Sequence, residues 1–597
     1  MKLLMGNEAM ALGAMHAGVQ IVTGYPGTPS SEVLEYVSTQ NVDRSIYVEW
    51  SVNEKAAVEV AAGGSYGGKR ALVTMKQVGL NAASDPLMNL AYIGVGAGIV
   101  VLVADDPGPI SSQTEQDTRQ YGIFSKMPVL DPSDPEEAYH LMRYAFELSE
   151  KHNTPVIIRP TTRVCHATAS FETAEPVTLK EQKYFEKDPR WVIFPALSYQ
   201  AHLRIEDRNP KIGGEFSRGS WNPITGEGEL GIVSHGTNHL YLQEIRAEKA
   251  LPPHKYMKIT TPFPFPEELG LDFLRGLKKV LVVEELSPYL ETQLLTLAGR
   301  HGIQVEILGK LTGHVPAAGE NSVEALRPVV HKYLGLDCDQ PIQPVLEEVT
   351  IPVRPPVLCA GCPHRGAFYA IKQAMKGKRC VFTGDIGCYT LGNAKPLEMV
   401  DTCLCMGAGI TIAQGLARSE EGLTTFAFIG DSTFFHSGIT GVANAVYNQT
   451  DIVLVVLDNL TTAMTGKQPH PGTGFTMMQQ QHTKIDIPGL LKALGVSDIE
   501  VLDPFQTDKC IEKIQGIYEK SGVRALVFDS PCIKLFKPSR LYAVSDACIG
   551  CKKCVRSLGC PALIKRDNHQ IQIDPTLCYG CSICEPICPT GAISEVK

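Results

Sequence analysis

Long apolar runs are missing from this chain of 597 residues. Its most apolar stretch, Ile93 to Ala104, falls far short of the ~20 residues a membrane-spanning helix needs. A large excess of one charge is missing too: a net charge of −9 advertises neither a nucleic-acid partner nor an anionic membrane. No basic segment with an apolar core behind it opens the chain, since Met1-Lys2-Leu3-Leu4-Met5 runs directly into Gly6-Asn7-Glu8. No secretory leader is therefore expected, and the expected location is the cytoplasm. With 44% hydrophobic and 20% charged residues, the composition is that of an ordinary globular protein. At ~150 residues per domain the length suggests roughly four domains. What is abundant is cysteine: 18 residues, eight of them between Cys548 and Cys588. Without an export signal, dense cysteine points to metal ligation rather than disulfides.

An α/β rhythm runs through most of the chain. In the first segment, 1–170, Val19 to Gly24, Arg70 to Met75 and Gly98 to Ala104 read as buried strands, and Glu54 to Tyr66 as a small-residue helix. Tyr25-Pro26-Gly27-Thr28-Pro29-Ser30 carries hydroxyls that cap helices, and Asp105 to Arg119 reads as a polar loop. Strands alternating with helices imply a parallel sheet. Residues 171–228 show little periodicity and read as a connector. A further α/β segment, 229–340, contains Glu284-Glu285 after a strand, where a solvated loop acid and a functional one are both open readings. Residues 341–356 read as a proline-rich linker, 357–540 as another α/β domain, and 541–597 as a tail too small for a core of its own.

Within 357–540, Thr424 to Ile429 and Ile452 to Leu457 are short apolar strands joined by a helix expected over Ser437 to Asn448. Such a βαβ unit has a right-handed crossover. It leaves Asp431, in Gly430-Asp431-Ser432, and Asn459, in Asp458-Asn459, at the carboxyl ends of neighbouring strands, where open α/β sheets bind ligands. A carboxylate and an amide oxygen suit Mg²⁺ holding a diphosphate; a Gly-Asp turn with an Asp-Asn helix cap is the plainer alternative.

The tail reads Cys548-x2-Cys551-x2-Cys554-x5-Cys560-Pro561, then Cys578-x2-Cys581-x2-Cys584-x3-Cys588-Pro589. Three thiolates at two-residue intervals wrap one corner of a 4Fe-4S cubane, and the fourth Cys, before Pro, reaches across to the other cluster. By that crossing, one cluster takes Cys548, Cys551, Cys554 and Cys588, and the other Cys578, Cys581, Cys584 and Cys560. Zinc ribbons also use paired Cys-x2-Cys motifs, but two triplets with two Cys-Pro endings favour iron–sulfur clusters and one-electron transfer. A looser set, Cys359, Cys362, Cys388 and Cys532, suits a third cluster; structural cysteines or a cluster-free remnant are the alternatives. Cys165, Cys338, Cys380, Cys403, Cys405 and Cys510 lack ligand spacing and are expected as small core residues.

A magnesium–diphosphate edge wired to iron–sulfur clusters suggests thiamine diphosphate. On these motifs the chain resembles the 2-oxoacid:ferredoxin oxidoreductase superfamily, most closely the large (alpha) subunits of its indolepyruvate branch, over nearly its whole length. The resemblance implies a multi-domain α/β fold. Doubly wound parallel sheets would form a pyrimidine-binding domain (1–170), a transketolase-C-terminal-like domain (229–340) and a diphosphate/Mg-binding domain (357–540). A small C-terminal α+β two-cluster ferredoxin domain (541–597) would follow.

The family's Gly-Asp-Gly, with Asn-Asn about 28 residues on, corresponds to Gly430-Asp431-Ser432 and Asp458-Asn459. Both departures, Ser432 and Asp458, fall on positions that do not ligate the metal. The resemblance assigns Mg²⁺ to Asp431, Asn459 and the Thr461 carbonyl. It gives Glu54 the aminopyrimidine ring, where it favours the imino tautomer that takes the thiazolium proton; without it, an exposed acid at a helix start is the simpler reading. It also offers Thr28 to the oxoacid, and Arg119 is a candidate for its carboxylate, a surface or structural arginine being the plainer alternative for a loop position. His364 and His436 stand near these motifs, as proton carriers or as structural residues.

The implied reaction is oxidative decarboxylation of an arylpyruvate, indolepyruvate above all, with coenzyme A as acyl acceptor and an external ferredoxin as electron acceptor. A separate smaller beta subunit carrying the family's gamma-type domain is expected, in a heterodimer or a dimer of heterodimers. Within that assembly, the first domain of this chain or a symmetry mate closes the thiamine site. The same chemistry on pyruvate or branched-chain oxoacids, and a non-catalytic electron-transfer subunit, are the rival readings.

Overall fold

Ala71–Lys76 and Ile99–Ala104 are apolar at nearly every position and buried along their length, so both faces of their sheet need cover. The computed structural model describes residues 1–179, 184–248, 251–336, 352, 354–538, 540–567 and 569–596. The chain divides into two units, Met1–Glu347 and Glu348–Lys597. Cys338 and most of the proline-rich linker lie outside the described residues.

The first unit contains a six-stranded sheet in the order Tyr47–Trp50, Ile21–Gly24, Ala71–Lys76, Ile99–Ala104, Val156–Ile158, Val129–Leu130, parallel throughout. Strand order reverses between Ile21–Gly24 and Ala71–Lys76, which makes a topological switch point at their carboxyl ends. The loop holding Thr28 leaves from that point. The helix Glu54–Tyr66 starts at Asn53, whose side chain accepts from the Ala56 N–H at 2.8 Å. A second sheet, of five strands, runs Glu306–Leu308, Lys279–Val283, Leu230–His235, Lys255–Ile259, with Ile224–Thr225 antiparallel at the edge.

The connector reading of 171–228 needs correction, because Pro195–Arg218 is a 24-residue helix. It buries Ala201, Ile205, Ile212 and Phe216 along one side. Charged residues crowd the remaining positions and hide that stripe from a periodicity search.

In the second unit, Cys380–Thr383, Thr424–Gly430, Ile452–Asp458, Val523–Asp529 and Asp498–Leu502 form one parallel sheet in that order. Phe426 and Phe428 pack one face; Ala427 and Ile429 pack the other. The helix expected over 437–448 instead begins at the strand end: Asp431–Thr433 is helical, Phe434–Gly438 is a wider π turn, and Ile439–Tyr447 is regular. Phe434 and Phe435 are buried in that wide turn, and turns of this kind recur at functional sites. The tail is two small antiparallel ladders, Tyr542–Val544 with Ile593–Glu595 and Leu563–Lys565 with Ile571–Ile573, plus the helix Lys553–Leu558. Among the described residues, no helix is long and apolar enough to cross a membrane.

Candidate functional site

The parallel register sets Gly430 opposite Leu457, so Asp431 and Asn459 leave the sheet side by side, as the sequence implied. Asp431 is buried and its carboxylate is crowded with donors. Oδ1 accepts from the Ser432 N–H at 2.8 Å; Oδ2 accepts from Asn459 N–H at 3.1 Å, Thr461 N–H at 3.3 Å and His470 Nε2 at 3.0 Å. Leu460 takes a left-handed φ of 60°, a turn that brings both backbone amides onto one oxygen. Burial opposes ionisation, yet the nearby His470 and the hydrogen bonds hold Asp431 below the usual carboxylate range. A carboxylate kept ionised in a buried setting suits a metal ligand.

His470 was not singled out in the sequence. Its Nδ1 accepts from the Gly472 N–H at 3.1 Å, which leaves the proton on Nε2 and makes it the donor to Asp431. His364, the second residue of the helix Pro363–Ala374, is placed by the structure inside the site. Its Nε2 accepts from the Asn459 amide at 3.3 Å, and burial lowers its pKa to about 4. The ring is thus neutral, with the proton on Nδ1. Among the described residues, that Nδ1 and the Thr461 hydroxyl are buried without a partner. Buried polar groups rarely stay unpaired, and two orphaned donors beside Asp431 and Asn459 fit an anionic diphosphate. His436 instead meets Ser437, Nδ1 to Oγ at 3.1 Å.

A second acid at this edge was also missed. Asp385 follows the neighbouring strand in Gly384-Asp385, the same dipeptide as Gly430-Asp431, and that repeat was the signal available. Its carboxylate accepts from Ile386 N–H at 2.6 Å and Gly407 N–H at 2.7 Å, and burial pushes its pKa up to about 7.

Cys359 lies within electrostatic reach of Cys362, Cys388 and Cys532, and Cys388 within reach of Cys362 and Cys532. The Cys532 N–H donates to the Asn459 carbonyl at 2.9 Å, so this cysteine set shares a hydrogen bond with the turn that carries Asn459. In the tail, one cavity is lined by Cys548, Cys551, Cys554 and Cys588, and another by Cys560, Cys578, Cys581 and Cys584. These are the two crossed sets, and each fits one cubane. Cys165 and Cys510 are buried as expected, whereas Cys403 and Cys405 are exposed and are not core residues; the turn they occupy skirts the sheet's carboxyl edge.

In the first unit, Glu54 is 5% exposed and its carboxyl rests on Gly79, where any Cβ would collide with it. Thr28 is half-buried; its carbonyl accepts from Ser111 Oγ at 3.3 Å, and Lys76 Nζ donates to the Ser111 carbonyl at 3.2 Å. Burial lowers the Lys76 pKa, against the pull of Asp106 and Glu54. Lys76 is a further residue that sequence reasoning missed.

Arg119 does not fit the role of carboxylate ligand. It is 0% exposed, and its Nη1 meets Glu284 at 2.9 Å, while Nη2 meets Asp117 and the Glu285 carbonyl, both at 2.7 Å. Its guanidinium also stacks over Tyr289. Burial notwithstanding, Arg119 pulls Asp117 down to about 2. Glu284 and Glu285 are correspondingly buried, not solvated: Glu284 also accepts from the Leu290 and Glu291 amides.

Known proteins divide along the same lines. Residues 12–215 match the family described as pyruvate flavodoxin/ferredoxin oxidoreductase, thiamine diphosphate-binding. Residues 385–527 match the C-terminal TPP-binding domain of thiamine pyrophosphate enzymes, and 571–594 a 4Fe-4S binding domain. The chain is 39% identical over 632 residues to the indolepyruvate oxidoreductase subunit IorA of Thermococcus kodakarensis, covering 100% of this chain and 97% of that one. Its counterpart in Methanothermobacter thermautotrophicus is 40% identical over 611 residues, covering 99% and 96%. The ketoisovalerate oxidoreductase subunit VorB of that organism is 30% identical over only 26% of this chain and 46% of its own. Full-length likeness thus singles out one kind of subunit, and the chain belongs to the family of indolepyruvate oxidoreductase IorA subunits.

Proposed function

We propose that this chain is the catalytic large subunit of an indolepyruvate:ferredoxin oxidoreductase. It converts an arylpyruvate and coenzyme A to the arylacetyl-CoA, CO₂ and reduced ferredoxin, together with a smaller subunit. Thiamine diphosphate, when bound, supplies the electron sink that makes loss of CO₂ from a 2-oxoacid feasible.

The chain's own residues do the rest. Asp431, Asn459 and the Thr461 carbonyl hold Mg²⁺, with Gly430 and Ser432 shaping the turn. His364 Nδ1–H and the Thr461 hydroxyl donate to the diphosphate. Glu54 hydrogen-bonds the aminopyrimidine nitrogen, and Thr28 meets the oxoacid. With Arg119 locked into the fold, Lys76 is the cation placed beside Thr28 to receive the carboxylate. Cys359, Cys362, Cys388 and Cys532 hold a third 4Fe-4S cluster beside the metal turn, and the tail holds two more.

The observation that carries this reading is the hydrogen bond from Cys532 to the Asn459 carbonyl. A cluster held by those cysteines would stand one hydrogen bond from the proposed metal turn, close enough to take up electrons from the bound cofactor. The test is the two-subunit complex, purified without oxygen and offered indolepyruvate, pyruvate and a branched-chain oxoacid. CoA-dependent dye reduction should be fastest with indolepyruvate, and about twelve irons per chain mark three cubanes. Eight irons would remove the third cluster, and an absence of thiamine diphosphate would leave only an electron-transfer subunit. Glu54→Gln should abolish CO₂ release with the iron content unchanged; retained turnover would reassign Glu54.

A further inference from the structure

The two tail cavities differ in what else walls them. The cavity of Cys560, Cys578, Cys581 and Cys584 is also lined by Ala360 and Gly361, from the turn between Cys359 and Cys362. Gly361 has a φ of 75°, and a Cβ there would collide with Tyr579, so that cavity is pressed against the diphosphate-binding domain. The Arg365 guanidinium, hydrogen-bonded to the Leu558 carbonyl, fastens the tail helix to the same place. The cavity of Cys548, Cys551, Cys554 and Cys588 is lined by tail residues alone. Its rim reaches solvent: Cys551, Pro589 and Thr590 are exposed, and Ile549 is 70% exposed.

Charge separates the two halves of the tail as well. Between Leu541 and Ile564 stand Lys552, Lys553 and Arg556 against the single acid Asp546. Between Asp574 and Val596 stand Asp574, Glu585 and Glu595 with no cation. The three cations lie within about one helical turn of each other, beginning at Lys552 on the cavity wall. The chain as a whole carries −9, so this basic rim departs from its surroundings. An exposed apolar side chain that shares a cavity wall with Lys552, with two exposed cations on the helix that follows, has the form of a docking surface, the apolar centre giving affinity and the charges giving orientation and approach rate.

We propose that the surface around Ile549 on the outer cysteine cavity, with Lys552 on its wall and Lys553 and Arg556 on the helix that follows, is where an acidic one-electron carrier protein docks. This rests on the electron-transfer reading of the tail. It adds the place of exit and the sign of the partner: electrons arrive at the inner set beside Gly361 and leave singly from the outer set. Each carrier molecule gains one electron as the outer cluster loses one, and no proton need move.

The test compares the holo-complex with its Lys553→Glu/Arg556→Glu variant. A small acidic bacterial 2[4Fe-4S] ferredoxin is the protein acceptor, and an uncharged sulfonated viologen is the dye. In the variant, ferredoxin binding measured by biolayer interferometry at low salt should weaken at least about tenfold, with its salt dependence flattened. Iron content and dye reduction should stay unchanged. Lys553→Arg/Arg556→Lys should bind as the parent does. Ile549→Ser, which leaves the charges alone, should weaken binding without changing its salt dependence. Unaltered ferredoxin binding in the charge-reversed variant, with the dye still reduced by both proteins, would overturn the docking surface and leave the functional reading standing. A parent complex that reduces neither acceptor would overturn that reading, and the exit surface with it.

Discussion

Two neighbouring strands of one sheet end in the same dipeptide, Gly384-Asp385 and Gly430-Asp431, and their carboxyls behave in opposite ways. Both are buried. Asp431 collects three backbone amides and an imidazole and is held below its ordinary pKa. Asp385 draws backbone amides too, from Ile386, Gly407 and Gly409, but among the described residues no cation or imidazole stands among the influences on it, and burial drives it up to about 7. Burial alone therefore does not decide the charge of an acid at this edge. What faces the acid decides it: the His470 imidazole is the largest of the influences that lower Asp431, and the amides of the turn through Leu460 stand beside it. Asp431 is equipped to stay an anion beside a cation; Asp385 is equipped to keep its proton and brace the backbone of Gly407.

The largest effect expected from this contrast is on Asp431. Asp431→Asn should cost more than the ~100-fold in metal-dependent cofactor affinity that loss of an outer partner can cause. Calorimetric titration with thiamine diphosphate and Mg²⁺ reads that loss, and the iron content should remain that of the parent. Asp385→Asn in the same titration should retain most of the affinity. If the two variants lose affinity equally, the distinction between the acids collapses.

The next effect is on stability, with opposite signs for the two acids. Asp385 titrates near 3.8 when unfolded and at about 7 in the fold, so over that interval the folded chain keeps a proton that the unfolded chain has lost. Stability contributed by this group therefore falls as pH rises from about 4 to 7. The full displacement corresponds to about 4 kcal/mol as an upper bound. Asp431, shifted downward, contributes stability that is present above its unfolded pKa and lost in acid. Asp385→Asn should thus melt at a higher temperature than the parent at pH 8 and lose that advantage by pH 5, as scanning calorimetry would show. A pH-independent difference would mean that Asp385 is already ionised in the fold.

Sequence and structure agree on placement where residues lie close together along the chain. The βαβ unit carrying Asp431 and Asn459 is local, and the crossed cysteine sets follow from spacings of a few residues. They diverge where partners are distant. Arg119 looked like a solvent-facing ligand because Glu284, which locks it in, is 165 residues away. Glu284 and Glu285 looked solvated for the same reason. The helix Pro195–Arg218 was hidden by charge on every side but one. Cys403 and Cys405 looked apolar because their ligand spacing was wrong, which says nothing about exposure. His470 lies 39 residues beyond Asp431, in a stretch without periodicity, and nothing local announced it.

The smallest of these effects, at His470, asks whether the contrast depends on the imidazole or on the backbone amides. Three donors converge on Asp431 Oδ2, whereas among the described residues Oδ1 receives the Ser432 amide alone, so under the proposed function Oδ1 would be the oxygen offered to Mg²⁺. The Gly472 N–H fixes the tautomer and Phe435 packs on the ring at 5.7 Å, an outer-partner arrangement that orients a metal-binding carboxylate. His470→Ala should therefore weaken Mg²⁺-dependent binding of thiamine diphosphate about tenfold, the lower end of such effects. His470→Gln, which can still donate, should recover part of that loss. Unchanged affinity in His470→Ala would show that the Asn459 and Thr461 amides suffice, and the difference between Asp431 and Asp385 would then rest on the Leu460 turn alone.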